Sequence, residues 1–232
     1  MGSFSLFGVG ETRRAMLVRS YLLYKYDRTC KLAPVSTGTG PRAEASRQTR
    51  AAIVAATVRI VAREGVAAVT HRRVADEAGV ALSSTTWHFK TKADILEAAL
   101  RWTAGREVES IRGIAGRLGD AELDPSAWAD ELGDWLVEQL TVERETVVAL
   151  YRLQVELLGT AQASDLHREW GEGLRGVGAR VLERSPSPTP ELDVRLIVAA
   201  LDGLRMGVLS SGEEDVEWVR AAVRRQVQAL LG

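Results

Sequence analysis

The chain has 232 residues, 46% hydrophobic and 26% charged, enough for one or two globular domains with a sizeable core. A single cysteine, Cys30, excludes a disulfide scaffold and a multi-cysteine zinc site, and His71, His88 and His167 lack metal-ligand spacing. The formal charge of −1 is unevenly spread: residues 1–50 hold nine Lys/Arg against three Asp/Glu, whereas residues 102–232 hold 14 against 23. A basic end on an acidic body suggests that one end meets an anion.

Residues 1–45 read as a disordered basic extension. Leu17, Val18, Leu22 and Leu23 are interrupted by Arg19, Ser20 and Lys25, so no signal-peptide core forms, and the Gly/Ser/Thr/Pro run over 34–41 reads as a flexible linker. No apolar run approaches 18 residues, so no membrane span is expected and the chain reads as cytoplasmic.

Helical periodicity starts after Ser46, with Ile53, Val54, Thr57, Ile60 and Val61 at three- and four-residue steps and Gly65 at the stop position. Thr70 is an N-cap for a short helix from His71 to Ala78, which Gly79 ends. A second short helix covers about Leu82 to Phe89. Thr91-Lys-Ala-Asp94 is a capping-box start for a longer helix carrying Ile95, Leu96, Ala99 and Leu100. That helix meets a glycine-marked stretch, Gly113, Gly116 and Gly119, a candidate hinge. Pro125 opens a helix to about Leu140, and two more follow over roughly 142–160 and 163–184. The second is weakened by Gly171, Gly173, Gly176 and Gly178, either as a pliable wall or as a break. After the Pro-rich stretch 185–190 come two amphipathic helices, one striped by Leu196, Ile197, Ala200, Leu201, Leu204 and Val208, the other by Val216, Val219, Val223, Val227 and Leu230. The fold class is all-α.

Two short helices joined by a tight glycine turn and braced by a longer helix make a helix-turn-helix. Its second helix would lie in a DNA major groove and offer Ser83, Ser84, Thr85, Thr86, Trp87 and His88 to base edges and phosphates. Arg50, Thr70, Arg72, Arg73, Lys90 and Lys92 are candidate backbone contacts, Lys92 at a helix N-terminus where phosphate is favoured.

The blocks Thr70-His-Arg-Arg-Val-Ala-Asp-Glu-Ala-Gly-Val80, Ser84-Thr-Thr-Trp-His-Phe89 and Lys92-Ala-Asp-Ile-Leu96, in this order and spacing, resemble the DNA-binding domain of tetracycline-repressor-like (TetR/AcrR) regulators. The resemblance covers about residues 47–100. Trp87 stands where the family usually has Tyr, and Ser83 where a Gly is frequent. The resemblance implies a helix-turn-helix domain over 46–100 and a helical effector-binding and dimerisation domain over 101–232. It also implies a homodimer on palindromic double-stranded DNA, released by a small-molecule effector. No cofactor, metal or catalytic residue is expected.

Candidate ligand contacts are Trp102, Trp128, Trp135, Tyr151, Gln154, His167, Trp170 and Arg205, chosen as aromatic or polar residues on helices of the body. Candidate dimer contacts are Leu196, Ala200, Gly203, Gly207, Val219, Val223 and Val227 on the last two helices. The alternatives are a DNA-bound regulator that senses a protein partner, and a helical enzyme with a basic tail. Against the enzyme, the chain carries no dinucleotide, Walker, nucleophile-elbow or zinc-protease motif.

Overall fold

The computed structural model describes residues 40–119 and 121–231. The extension read over 1–45 therefore lies, for residues 1–39, outside the described residues. The described part is all-helical: α1 (Pro41–Glu64), a 3-10 turn (Val66–Ala68), α2 (His71–Ala78), α3 (Leu82–His88), α4 (Lys92–Arg117), α5 (Pro125–Thr141), α6 (Arg144–Leu157), α7 (Ala161–Leu182), α8 (Pro190–Ser211) and α9 (Trp218–Leu231).

The first helix starts at Pro41, ahead of the Ser46 expected from periodicity. Proline at the first helical position costs nothing, because its missing N–H would have had no intrahelical partner. The turn between α2 and α3 rests on Gly79, whose φ of 68° is the left-handed conformation that other residues avoid. Val80 N–H then donates to the Ala75 carbonyl at 3.1 Å and closes the end of α2. The predicted capping box forms: Thr91 Oγ1 accepts from Asp94 N–H at 3.1 Å, and Asp94 Oδ2 accepts from Thr91 N–H at 2.8 Å. The same carboxylate oxygen also accepts from Lys90 N–H at 3.0 Å, fixing the exit from α3.

Two apolar clusters hold the chain. The first joins α1, α2 and the first half of α4 to Ala149, Leu150 and Leu153 of α6 and to Leu166, Trp170 and Leu174 of α7. The second joins the end of α4 to α5, α8 and α9. The helical head is thus seated on α6 and α7, and α4 runs unbroken through residue 100 and past Gly113 and Gly116 into the body.

Helix α7 is continuous across its four glycines. Two of them are close-approach points: a Cβ on Gly178 would meet Val194 Cγ2 at 2.8 Å, and one on Gly173 would meet Val108 Cγ2 at 3.2 Å. The break considered from sequence is absent because α7 packs directly on α8 and α4 at these positions, and that packing outweighs poor helix propensity.

Candidate nucleic-acid interface and ligand cavity

Helix α3 presents one face to solvent and buries the other. Ser83, Thr86 and Trp87 are exposed, Trp87 at 67%, and Ser84 and His88 are half-buried. Thr85 corrects the expectation that every hydroxyl of this helix reads DNA. Its side chain is fully buried, donates to the Leu82 carbonyl at 2.8 Å and lies 3.4 Å from the His71 carbonyl. With that hydroxyl satisfied inside, Thr85 pins α3 to α2. His71 does similar work from the other side, its Nε2 3.0 Å from the Phe89 carbonyl.

The cations around α3 differ in how far the chain already uses them. Arg72 is exposed and forms no ion pair among the described residues. Lys90 is exposed, its Nζ 3.4 Å from the Thr86 carbonyl; Lys92 is half-buried, its Nζ 3.5 Å from the Ala67 carbonyl. Arg73 is clamped between Glu64 at 2.5 Å and Glu77 at 3.2 Å, with its guanidinium shared by two carboxylates of α1 and α2. Thr70 caps α2, its hydroxyl accepting from Arg73 N–H at 3.1 Å. Arg50 lies over the Phe89 ring at 4.9 Å. Burial, helped by the Arg50 charge, holds His88 below its ordinary pKa, so the ring favours its neutral form.

In the body, a cavity of about 540 Å³ opens between α4, α6, α7 and α8, within the range that accepts a drug-sized ligand. Leu100, Ala104, Leu166 and Trp170 form its apolar floor, and Val155, Leu158 and Met206 its exposed edge. Of the eight sequence-chosen ligand contacts, Tyr151, Gln154, His167 and Trp170 line it. Trp128, Trp135 and Arg205 instead face a second, much smaller void of about 40 Å³. Trp102 lines neither; it is half-buried under the Arg106 guanidinium, 5.1 Å from its ring.

A buried polar cluster separates the two spaces. Arg205 of α8 lies 2.5 Å from Glu107 of α4 and 2.7 Å from Asp202 of its own helix, and Tyr151 of α6 donates to Asp202 Oδ1 at 3.1 Å. The guanidinium lies over the Trp135 and Tyr151 rings at 5.2 and 5.8 Å. Burial pushes the Glu107 carboxyl above the usual carboxylate range, against the pull of Arg205. Burial also raises the Tyr151 hydroxyl, keeping it a neutral donor. Among the described residues, no group of three or more His, Cys, Asp or Glu is placed to hold a metal ion. Nor is any helix long and apolar enough to cross a membrane.

Comparison with known proteins places this geometry. The profile of bacterial regulatory proteins of the tetR family matches residues 53–99, and that of the tetracyclin repressor-like C-terminal domain matches residues 123–232. The structure of a member of the TetR family from Streptomyces coelicolor A3 is 33% identical over 77% of this chain and 97% of that one, with a TM-score of 0.62. The chain belongs to the TetR family of transcriptional regulators. Multidrug binding protein EbrR complexed with ethidium is 32% identical over 77% of this chain and 98% of that one, with a TM-score of 0.58. A TetR transcription regulator from Haloarcula marismortui is 25% identical over 79% and 98%, with a TM-score of 0.66. No curated protein matches the chain. TetR-family regulators are generally ligand-responsive, DNA-binding repressors rather than enzymes.

The dimer contacts expected in this TetR-family chain divide by helix. On α9, Val219, Val223 and Val227 are buried in the second cluster beside α5 residues such as Leu132 and Leu136, and so are not available to a partner. Their stripe is the most apolar on the helix, and the chain's own core takes it. On α8, Leu196, Gly203 and Gly207 are exposed and Ala200 is half-buried, and a Cβ on either glycine would meet nothing within 4 Å.

Sequence reasoning missed Asp202 and Glu107. Glu107 was visible as the one acidic residue on the stripe Leu100, Thr103, Ala104, Glu107, Val108, and Arg205 sits one turn beyond Leu201 on its stripe. Asp202 carried no signal, since an acidic residue beside a core position normally faces water.

Proposed function

We propose that this chain is a repressor that binds a palindromic operator as a homodimer through α3 and is released when a small molecule fills the 540 Å³ cavity. Ser83, Thr86 and Trp87 face base edges and sugar, and Arg72, Lys90 and Lys92 neutralise phosphates. The observation that carries this reading is that the cavity shares two helices with the seat of the DNA-binding head. Leu100 and Ala104 of α4 and Tyr151 and Gln154 of α6 line it, while Leu96 and Leu153 of the same helices pack against α1. A ligand that spreads α4 from α6 shifts the head on its seat. To act, the ligand must prefer the conformation that does not fit DNA. EbrR, the relative solved with ethidium, supports a small-molecule ligand in a body of this fold.

The test is selection of bound duplexes from a random pool, followed by a mobility-shift titration with a panel of drug-like compounds. A palindromic consensus, affinity that falls steeply with salt, and release by at least one cavity-binding compound are expected. Recovery of no consensus, or compounds that bind without altering the shift, would overturn the reading.

A further inference from the structure

The polar cluster sets two carboxyl groups against one cation. Glu107 and Asp202 share the single guanidinium of Arg205. Glu107 and Arg205 side chains are each only 3% exposed, and the Glu107 carboxyl has the Arg205 guanidinium and the Trp170 indole beside it. Asp202 is 40% exposed and lines the large cavity. Both of its bonds, from Tyr151 and from Arg205, land on Oδ1, and Oδ2 accepts none among the described residues.

With Arg205 divided between two carboxyl groups, the second oxygen of Asp202 is available to pair with a further cation from the cavity side. The wall already shows what this chemistry holds, since Arg205 is itself a planar cation between carboxylates and the faces of Trp135 and Tyr151. Toward the cavity, Asp202 stands beside Tyr151 and Trp170, and the only other ionisable lining side chain is His167. An anionic ligand would meet Asp202 with no Lys or Arg in the cavity lining to offset it.

We propose that the cavity selects planar aromatic monocations, with Asp202 as the anionic anchor and the Tyr151 and Trp170 rings as the platform. This rests on the cavity being the effector site. On binding, the ligand cation takes up the second carboxylate charge, leaving Arg205 to Glu107 and so tightening α8 on α4, the helix that continues into the DNA-binding head.

Fluorescence titration of the full-length protein, without DNA, compares ethidium with its neutral parent ring phenanthridine. The wild type is expected to bind ethidium at least tenfold tighter than phenanthridine. Asp202→Asn, which keeps an acceptor for Tyr151 and Arg205, is expected to lose at least tenfold for ethidium while phenanthridine stays within twofold. Asp202→Glu is expected to retain most of the ethidium affinity, which separates charge from folding. Equal binding of both rings by the wild type, unchanged ethidium binding by Asp202→Asn, or loss with Asp202→Glu as severe as with Asp202→Asn, overturns the anchor but leaves the cavity as a ligand site. Binding of neither ring overturns both the anchor and the effector reading.

Discussion

The guanidinium of Arg152 donates to the carbonyl of Val61 at 2.8 Å and, from the same nitrogen, to that of Ala62 at 2.9 Å. A residue of α6 therefore caps the C-terminal end of α1, where the Val61 carbonyl also accepts from Gly65 N–H at 3.2 Å and the helix dipole favours a cation. Together with the Arg63–Glu145 ion pair at 2.9 Å, it is the polar part of the joint between head and body. Arg152→Ala is expected to cost about 1 kcal/mol in urea denaturation, less than a buried bond to a charged donor because the site is partly open to water. The variant should also bind operator with a weaker response to ligand, since the head is less firmly tied to α6. An unchanged midpoint and unchanged response would mean the joint is apolar alone.

Thr85 and Thr86 are adjacent and chemically identical, yet one is buried and the other exposed. Thr85→Val keeps the shape but removes a satisfied hydroxyl, and should change stability by about 1 kcal/mol while leaving site preference intact. Thr86→Val should leave stability within about 0.5 kcal/mol and change the bases recovered in a selection experiment. Arg72→Ala should weaken binding to all sequences alike and flatten the salt dependence by about one unit of slope. The reverse pattern for the two threonines would mean that α3 faces DNA with its other side.

That pair shows where the sequence stopped being legible. The helices, the glycine turn and the capping box all follow from periodicity, φ preference and short-range hydrogen bonding, and the structure has them, with α1 starting at Pro41 rather than after Ser46. Leu-Ser-Ser-Thr-Thr-Trp-His, by contrast, has no apolar stripe, so its rotation is set by what α2 offers, namely the His71 carbonyl. Val219, Val223 and Val227 failed for the opposite reason: a strong stripe says that a face is buried, not whether the burying surface is the same chain. In the body, which aromatics reach the cavity depends on packing between helices far apart in sequence, and Trp128 and Tyr151 carry the same local signal yet end at different voids.

The lowered His88 pKa makes a pH prediction with a definite sign. The unfolded chain, with histidine near its ordinary 6.5, takes up a proton more readily than the folded head. The stability that His88 supports is therefore complete above that value and declines as the pH falls below it, toward the folded-state pKa. His88→Gln should remove this part of the acid slope in denaturation curves taken between pH 7.5 and pH 5.5, two bracketing values about one unit either side of the reference. Identical slopes for wild type and variant would show that the ring is as easily protonated folded as unfolded.

Gly178 and Gly176 lie two residues apart on α7 in opposite circumstances. A Cβ at 178 meets Val194, itself buried, at 2.8 Å; one at 176 meets only the tip of Arg180 at 3.7 Å. Gly178→Ala is expected to destabilise by about 1–3 kcal/mol through overpacking. Gly176→Ala should stabilise by about 0.5–1 kcal/mol through helix propensity. Thermal melts of the two variants side by side check this, and a stabilised Gly178→Ala would mean α7 and α8 are not in direct contact there.

The exposed side of α8 offers Leu192, Leu196 and Met206 together with Gly203 and Gly207, and among the described residues no element covers the two glycines. Small residues allow a second helix to come close, and the large ones supply apolar area at its rim. If this face joins two copies, Gly203→Glu combined with Leu196→Glu places two charges in the seam, at a like position on each copy of an isologous contact. Light scattering should then report a monomer, and operator binding should fall, because one copy carries a single reading helix. Val223→Ala serves as the comparison. It opens a void beneath α9 and should lower stability by on the order of 2 kcal/mol, yet leave the dimer associated. A double variant that stays dimeric, beside a Val223→Ala protein that dissociates, would move the seam from α8 to α9.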